Sequence, residues 1–308
     1  MPIVAVTQPQ AVTPGGGFDY VTVDAQRRRV YAAHGGGGGL LIADADSGKV
    51  LGIVKVGDMA GVAVDPATGH VFTGNGDGKS VSEVDPSTQT ILRTLKVDGP
   101  VDAIAYDPDS GRIYADEDDG TRIFVIDAKT FQQIGVIALP GHKPEYIQVD
   151  PETHAVYQNV ASDDPKLSQI VVIDPQSLKV ERSIPTPFLK SNHPLQYDLT
   201  HHALIVVGED NILAVYDTSG NLLHRVGYPT RVDQCSWDGS RGWLACAGGG
   251  AVTLYSYSGT ADPTQLGTVT IAPGVHTTAI DPKTGTIWAV WSDRTTGAAF
   301  IQGFGYQP

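Results

Sequence analysis

One pattern governs what this chain can become. An apolar-x-apolar-Asp step, followed by a turn and a second apolar run, recurs seven times. It reads VTVDAQRRRVYAA at Asp24, VAVDPATGHVFTG at Asp65, IAYDPDSGRIYAD at Asp107 and IQVDPETHAVYQN at Asp150. It continues as LQYDLTHHALIVV at Asp198, CSWDGSRGWLACA at Asp238 and TAIDPKTGTIWAV at Asp281. Successive aspartates are 41, 42, 43, 48, 40 and 43 residues apart. A period of that size is the length of a four-stranded propeller blade. In each copy the Asp opens a turn, and Pro, Ser, Thr or Gly follow it, as turn chemistry requires. The strands flanking this turn are termed A and B.

A second hairpin, strands C and D, follows each copy. Its marker is the Asp of LIAD (Asp44), SEVD (Asp85), FVID (Asp127), VVID (Asp174) and AVYD (Asp217), with Ser256 in its place in the sixth copy. Strand D reads as an alternating run such as KVLGIVKV or ILRTLKV, the period of a half-buried strand. The last copy stops after its third strand, AAFIQGF, and a run resembling the D strands, IVAV (Ile3 to Val6), stands at the other end of the chain. The expected fold is therefore all-β: one seven-bladed β-propeller domain of four-stranded blades over residues 1–308. The N-terminal strand completes blade seven and leaves no long open sheet edge.

The hairpins VYAAHGG, RIYADED and AVYQN, with their paired apolar-Asp markers, resemble the YVTN-repeat propellers of the YncE-like family over essentially the whole chain. That resemblance implies the fold and, since members are often exported bacterial proteins, a periplasmic or secreted location. Residues Met1 to Val12 lack the basic start and long apolar middle of a secretion signal, so the expectation is either a removed leader or a cytoplasmic protein. A net charge of −13 argues against nucleic acid and anionic lipid as partners, and no apolar run is long enough to span a bilayer. A small molecule or a cation is the compatible partner.

Strand A of such a propeller lines the central channel. Five residues before each turn aspartate stand Asp19, Ala60, Asp102, Glu145, His193, Asp233 and His276, and two residues further on stand mostly apolar side chains. This places an ionisable layer above an apolar one at the channel mouth. Two carboxylates about 6 Å apart repel by about 3 kcal/mol at an effective dielectric near 20, so four converging acids must protonate, take up cations or stay solvated. A divalent metal is one relief. Carboxylates with imidazoles suit zinc, manganese or iron(II), and carboxylates alone suit calcium or magnesium. Asp19, Asp102, Glu145, His193, Asp233 and His276 are the candidate metal ligands. The offset of Asp19, Asp102, Glu145 and Asp233 resembles that of the metal ligands in gluconolactonase and regucalcin-like propellers. The two histidines and the seven-blade count depart from that pattern. The alternative is a water-filled mouth lined by polar side chains.

Other residues belong to the same face. His34 heads the loop HGGGGG, read here as a flexible loop over the channel, and Trp291 holds the same offset in blade seven. Lys143 and Arg231 each precede the ring by two residues and are candidate anchors for a carboxylate or phosphate. Tyr20 and Tyr146 adjoin ring acids. These six are the candidate substrate contacts, though each also fits ordinary surface decoration. GNGDGKS (Gly74 to Ser80) lacks the glycine and the helix of a phosphate loop. DEDDG (Asp116 to Gly120) fails the register of a calcium loop and reads as an acidic surface loop. His70, His154, His201 and His202 fall in turns on the opposite face and are expected in solvent. Cys235 and Cys246 stand symmetrically about the turn WDGSRGW, as a disulfide or as two core thiols.

Two functions follow from these residues. One is a metal-dependent hydrolase of lactones or esters, or a lyase, with Glu145, His193 or His276 as general acid or base. The other is a non-catalytic propeller that holds a ligand or partner at the same face.

Overall fold

The computed structural model describes residues 2–229 and 231–308. Seven antiparallel sheets arrange as blades. Six follow the chain in order: Val21–Val54, Val62–Lys96, Val101–Ala138, Pro144–Pro185, Asn192–Gly227 and Gln234–Thr270. The seventh combines Thr277–Ile280, Ile287–Ser292 and Ala299–Tyr306 with the N-terminal segment. That segment supplies two short pieces rather than one strand. Ile3–Ala5 pairs with Phe304–Tyr306, and Gln10–Val12 pairs with Ala299–Ile301.

Burial explains the sequence pattern of each strand. Strands B and C lie between neighbouring blades, so both their faces are covered. Val71–Asn75, Val156–Val160 and Ala203–Gly208 are buried at every position. The outer strands face a blade on one side only, and Lys179–Pro185 alternates exposed and covered residues accordingly.

The repeated aspartates explain the turns. Asp65, Asp107, Asp150, Asp238 and Asp281 each accept a backbone N–H two residues on and a hydroxyl from the Ser or Thr that follows. This is the local side-chain bonding that makes Asp a turn opener. Charged side chains stitch the same face together. Arg28 of blade one reaches Asp281 of blade seven at 2.7 Å, across the ring closure. His154 sits 3.0 Å from Asp107 of the preceding blade. His70 and His201 pair with Glu83 and Asp198, and His202 contacts the Tyr197 hydroxyl. The expectation of four solvated histidines is corrected for two: His70 and His154 are half-buried against the buried Glu83 and Asp107, whereas His201 and His202 are exposed as expected, His201 while pairing with Asp198.

The glycine loop is corrected too. Gly35–Gly37 forms a short 3-10 turn rather than a flexible flap. Gly36 donates its N–H to Gly17 O at 3.2 Å, and the Lys55 ammonium donates to Gly37 O at 2.7 Å. The two glycine runs pack backbone to backbone. Gly16 adopts φ +127°, and a Cβ there would stand 2.4 Å from the Gly36 carbonyl carbon, a contact only glycine permits. Cys235 and Cys246 are directly opposed in the register of their hairpin and form a disulfide. Among the described residues no helix is long and apolar enough to cross a membrane.

Candidate functional site at the channel mouth

The ring positions are aimed by the entry segments of the inner strands. In blades three, four and five the pairing of strands A and B slips between Val101 and Ile104, between Pro144 and Ile147, and between Asn192 and Leu195. Asp102, Glu145 and His193 lie inside those three irregularities. A bulge of this kind re-aims a side chain that regular alternation would send elsewhere. In blades one, six and seven the strand begins just after the ring residue. Backbone bonds then fix the entry: Asp19 N–H to Ala33 O at 2.9 Å and Asp233 N–H to Ala247 O at 2.9 Å. Neighbouring entries are also tied to each other. Tyr20 donates its N–H to Ala60 O at 3.3 Å, and Gln234 donates to His276 O at 3.1 Å. Gly61 lets blade three come close, since a Cβ there would stand 2.3 Å from Asp102 O.

The side chains meet around the axis. His193 Nδ1 stands 3.1 Å from Glu145 Oε2 and 3.4 Å from Asp233 Oδ1. Asp233 Oδ2 is 4.0 Å from His276 Nε2. Asp19 and Asp102 complete the ring electrostatically. Burial, then Asp233, push the Asp19 carboxyl up to about 7. Burial, then Asp19, Asp116 and Glu145, hold Asp102 well above the carboxylate range. Burial, then Asp116, push Glu145 up to about 9. His193 is lowered by burial, against the opposing pull of Asp233. Burial and mutual repulsion thus act in the same direction on the ring acids, favouring the protonated form.

Ala60 leaves a gap in the ring, and loop acids fill the surroundings. Asp58, Asp118 and Asp119 line a cavity of about 500 Å³ with Asp19, Asp102 and Glu145. DEDDG is therefore not a plain surface loop: Asp118 faces the mouth, and Asp116 is wholly buried. Asp116 accepts a hydrogen bond from Gln158 Nε2 at 3.0 Å, its Oδ1 has no partner, and burial raises it far above the usual range. A second cavity of about 780 Å³ adjoins the first and shares Lys143 and His193 with it; Arg231, Asp233, His276 and Arg294 are among its walls.

The candidate substrate contacts divide. Lys143 is exposed at the rim of both cavities. Arg231 lines the larger one but is tied to Glu209 through two of its nitrogens. Tyr20 and Tyr146 pack together at 5.4 Å one layer below, where they line a deeper channel cavity of about 280 Å³. The Tyr20 hydroxyl donates to the Glu145 backbone carbonyl and holds the bulge from beneath. His34 and Trp291 do not reach the mouth. His34 is fully buried, stacked on Phe18 at 4.3 Å, because the N-terminal glycines cover it. Trp291 is 7% exposed and stacks on Phe300 at 5.4 Å.

The donor types would suit a divalent ion, but their present partners compete with one. His276 meets Gly274 O through Nδ1 at 2.8 Å and Phe18 O through Nε2 at 2.9 Å. His193 Nδ1 is engaged by two carboxyl groups. Among the described residues no three His, Cys, Asp or Glu side chains stand together as a ligand set.

Comparison with known proteins supports the fold. No family model matches the chain, and no curated protein sequence matches it. A Kuenenia stuttgartiensis hydrazine synthase chain is similar with TM-score 0.80 and 16% identity, over 94% of this chain and 96% of that one. A chain of a mitotic checkpoint complex is similar with TM-score 0.79 and 15% identity, over 96% and 90%. At such identities the likeness is one of propeller architecture, which hosts many unrelated activities.

Proposed function

We propose that the channel mouth is a small-molecule site at which Glu145 and His193 act as a general acid–base pair, in a hydrolase of lactones or esters or in a lyase. The carrying observation is the 3.1 Å contact between His193 Nδ1 and Glu145 Oε2, with burial pushing the acid up and the imidazole down. A neutral carboxylic acid and a neutral imidazole at neutral pH are the states a proton-transfer pair needs. Glu145 Oε2 and Asp233 Oδ1 both face Nδ1, at 3.1 and 3.4 Å, and their negative potential favours a hydrogen there. They hold the hydrogen on Nδ1 and leave the Nε2 lone pair as the base. In hydrolysis, a water gives its proton to Nε2 as its oxygen bonds the carbonyl carbon. The ester C–O bond then breaks, and Glu145 gives its proton to the departing oxygen. The pair ends oppositely charged, and solvent carries the proton from His193 back to Glu145.

The test is a panel of lactones and esters against the wild type, Glu145→Gln and His193→Gln. The expected outcome is a bell-shaped pH profile for the wild type and a loss of at least about a hundredfold in kcat for each variant. Wild-type levels of turnover in both variants would overturn the assignment.

The divalent metal ion (zinc, manganese, iron(II) or calcium) enters this reading as a competitor of the ring protons. Asp19, Asp102, Glu145 and Asp233 offer oxygen donors when ionised, and His193 and His276 offer nitrogens if they give up their present partners. A bound ion would polarise a carbonyl or acidify a water. Manganese or calcium should therefore raise the melting temperature at pH 9 more than at pH 6. Equal shifts at both pH values, or none, would remove the ring from consideration as a metal site.

The second reading is a non-catalytic ligand- or partner-binding propeller. It is favoured by His34 and Trp291, two expected substrate contacts that pack in the interior instead. Under either reading the Cys235–Cys246 disulfide supports a periplasmic or secreted location.

A further inference from the structure

The two cavities of the mouth differ in charge. The smaller is walled by Asp19, Asp58, Asp102, Asp118 and Glu145, with Lys143 as its one formal cation. The larger carries Lys143, Arg231, Arg294 and two imidazoles against Glu209 and Asp233. Partners sharpen this contrast. Arg27, Arg28, Arg29, Arg93, Arg122, Arg231 and Arg241 are ion-paired. Arg112 and Arg182 donate to backbone carbonyls, and Arg225 lies over Phe188. Arg294 alone among the arginines of the described residues has no ion pair, hydrogen bond or ring contact, and the exposed Lys143 on the same wall acts on Asp118 and Glu145 through its charge alone. In a chain of net charge −13, a guanidinium left without a partner beside this cavity is conspicuous. Acids pair seven of the other ten guanidiniums, and backbone carbonyls or a ring face engage the remaining three.

We infer that the mouth takes a small zwitterion, with its cationic group among the acids of the smaller cavity and its oxyanion against Arg294 and Lys143 in the larger. The inference rests on the mouth being a small-molecule site, as proposed above, and adds the class of molecule. A guanidinium presents a planar fork of donors that matches a carboxylate or phosphate. The acidic pole offers only acceptors once ionised and suits an ammonium. A molecule spanning both satisfies two poles for one loss of translational freedom, so its affinity exceeds that of either half.

The experiment is titration calorimetry at pH 8.5. The probes are tetramethylammonium, acetate, inorganic phosphate, and trimethylammonio-carboxylates with two, four or six methylenes between the charges. A permanently charged nitrogen removes titration of the ligand itself. At least one spacing should bind ten times more tightly than any single-pole probe. Arg294→Ala should abolish that gain while leaving tetramethylammonium affinity within twofold. Asp58→Asn, in the wall of the smaller cavity, should weaken tetramethylammonium and the zwitterions together. If no zwitterion outbinds the single-pole probes, or if Arg294→Ala leaves the gain intact, the inference fails. Turnover read separately distinguishes the two claims: zwitterion binding without ester or lactone hydrolysis sinks the acid–base reading alone.

Discussion

At pH 8, the Glu145→Gln variant is expected to melt about 3 °C above the wild type, and at pH 4 the two should melt together. The sign follows from proton linkage. In the folded chain, burial and Asp116 push the Glu145 carboxyl up to about 9, against an ordinary value of 4.5. Below 4.5 both the folded and unfolded chains hold the proton, and Glu145 costs nothing. Between 4.5 and 9 the unfolded chain releases a proton that the folded chain keeps, so stability falls as pH rises, and above 9 the loss is complete. One pH unit in that window is worth about 1.36 kcal/mol for an isolated group. Glu145 is not isolated: Asp116, Asp233 and Asp19 share its field, so a gain of about 2 kcal/mol at pH 8, below the full isolated-group figure, is the scale to expect. For a chain of this size that corresponds to about 3 °C. Gln keeps the shape and an acceptor for His193 while removing the ionisation. A thermal melt of both proteins from pH 4 to pH 9 decides the matter. A difference that does not change with pH would mean that Glu145 carries no buried proton. A more stable protein with lost turnover would mark the ring as strain retained for function.

The protons on the ring could be argued from the sequence only in outline. A step of five residues before each turn aspartate finds Asp19, Asp102, Glu145, His193, Asp233 and His276, because the inner strands repeat with fixed length. That alignment reads one position per blade. The cavity walls come from loops whose lengths differ between blades, so Asp58, Asp118 and Arg294 fall outside any shared offset. Asp116 was misassigned for a related reason. Its neighbours in sequence are acidic and look solvated, but Gln158 from the next blade closes over it. His34 shows the complementary failure. Its offset was right, yet the residues that bury it, Gly16 and Phe18, precede the repeat and belong to no blade pattern. The bulges that aim Asp102, Glu145 and His193 leave no mark in composition. Alternation of apolar residues resumes on the same face after each one. The blade count and the turn aspartates were legible because both are local: a period, and a side chain bonding its own turn.

Ring closure was legible as a resemblance between IVAV and the outer strands, and it carries the largest stability effect expected here. Deleting residues 2–12 should cost more than about 5 kcal/mol and should drive the chain into aggregates or strand-exchanged oligomers larger than the full-length protein. Ile3 and Val12 are 2% and 3% exposed, and burying each contributes about 1.5–3 kcal/mol. Their loss also uncovers what they pack on. Val12 belongs to the cluster of Trp288, Val290, Ala299 and Ile301, and Ile3 to that of Leu254, Ile280 and Phe304. The strand Ala299–Tyr306 would then present an unpaired edge of eight residues, the kind of edge that recruits another chain. Between the two short pieces, Thr7 adds three bonds to that strand: its hydroxyl accepts the Gly303 N–H, its carbonyl accepts from Gln302, and its N–H reaches Gly303 O. Arg28–Asp281 and the glycine contact survive the deletion, but they join blade one to blade seven without covering the exposed edge. Urea unfolding and size-exclusion chromatography of the truncated chain are the measurements. Adding the 2–12 peptide in trans should restore the full-length protein's size and part of the stability. A truncated protein that elutes as the full-length protein does and unfolds within about 1 kcal/mol of the full chain would show that blade seven stands on three strands, and that the ring is held by its hydrophobic inter-blade contacts alone.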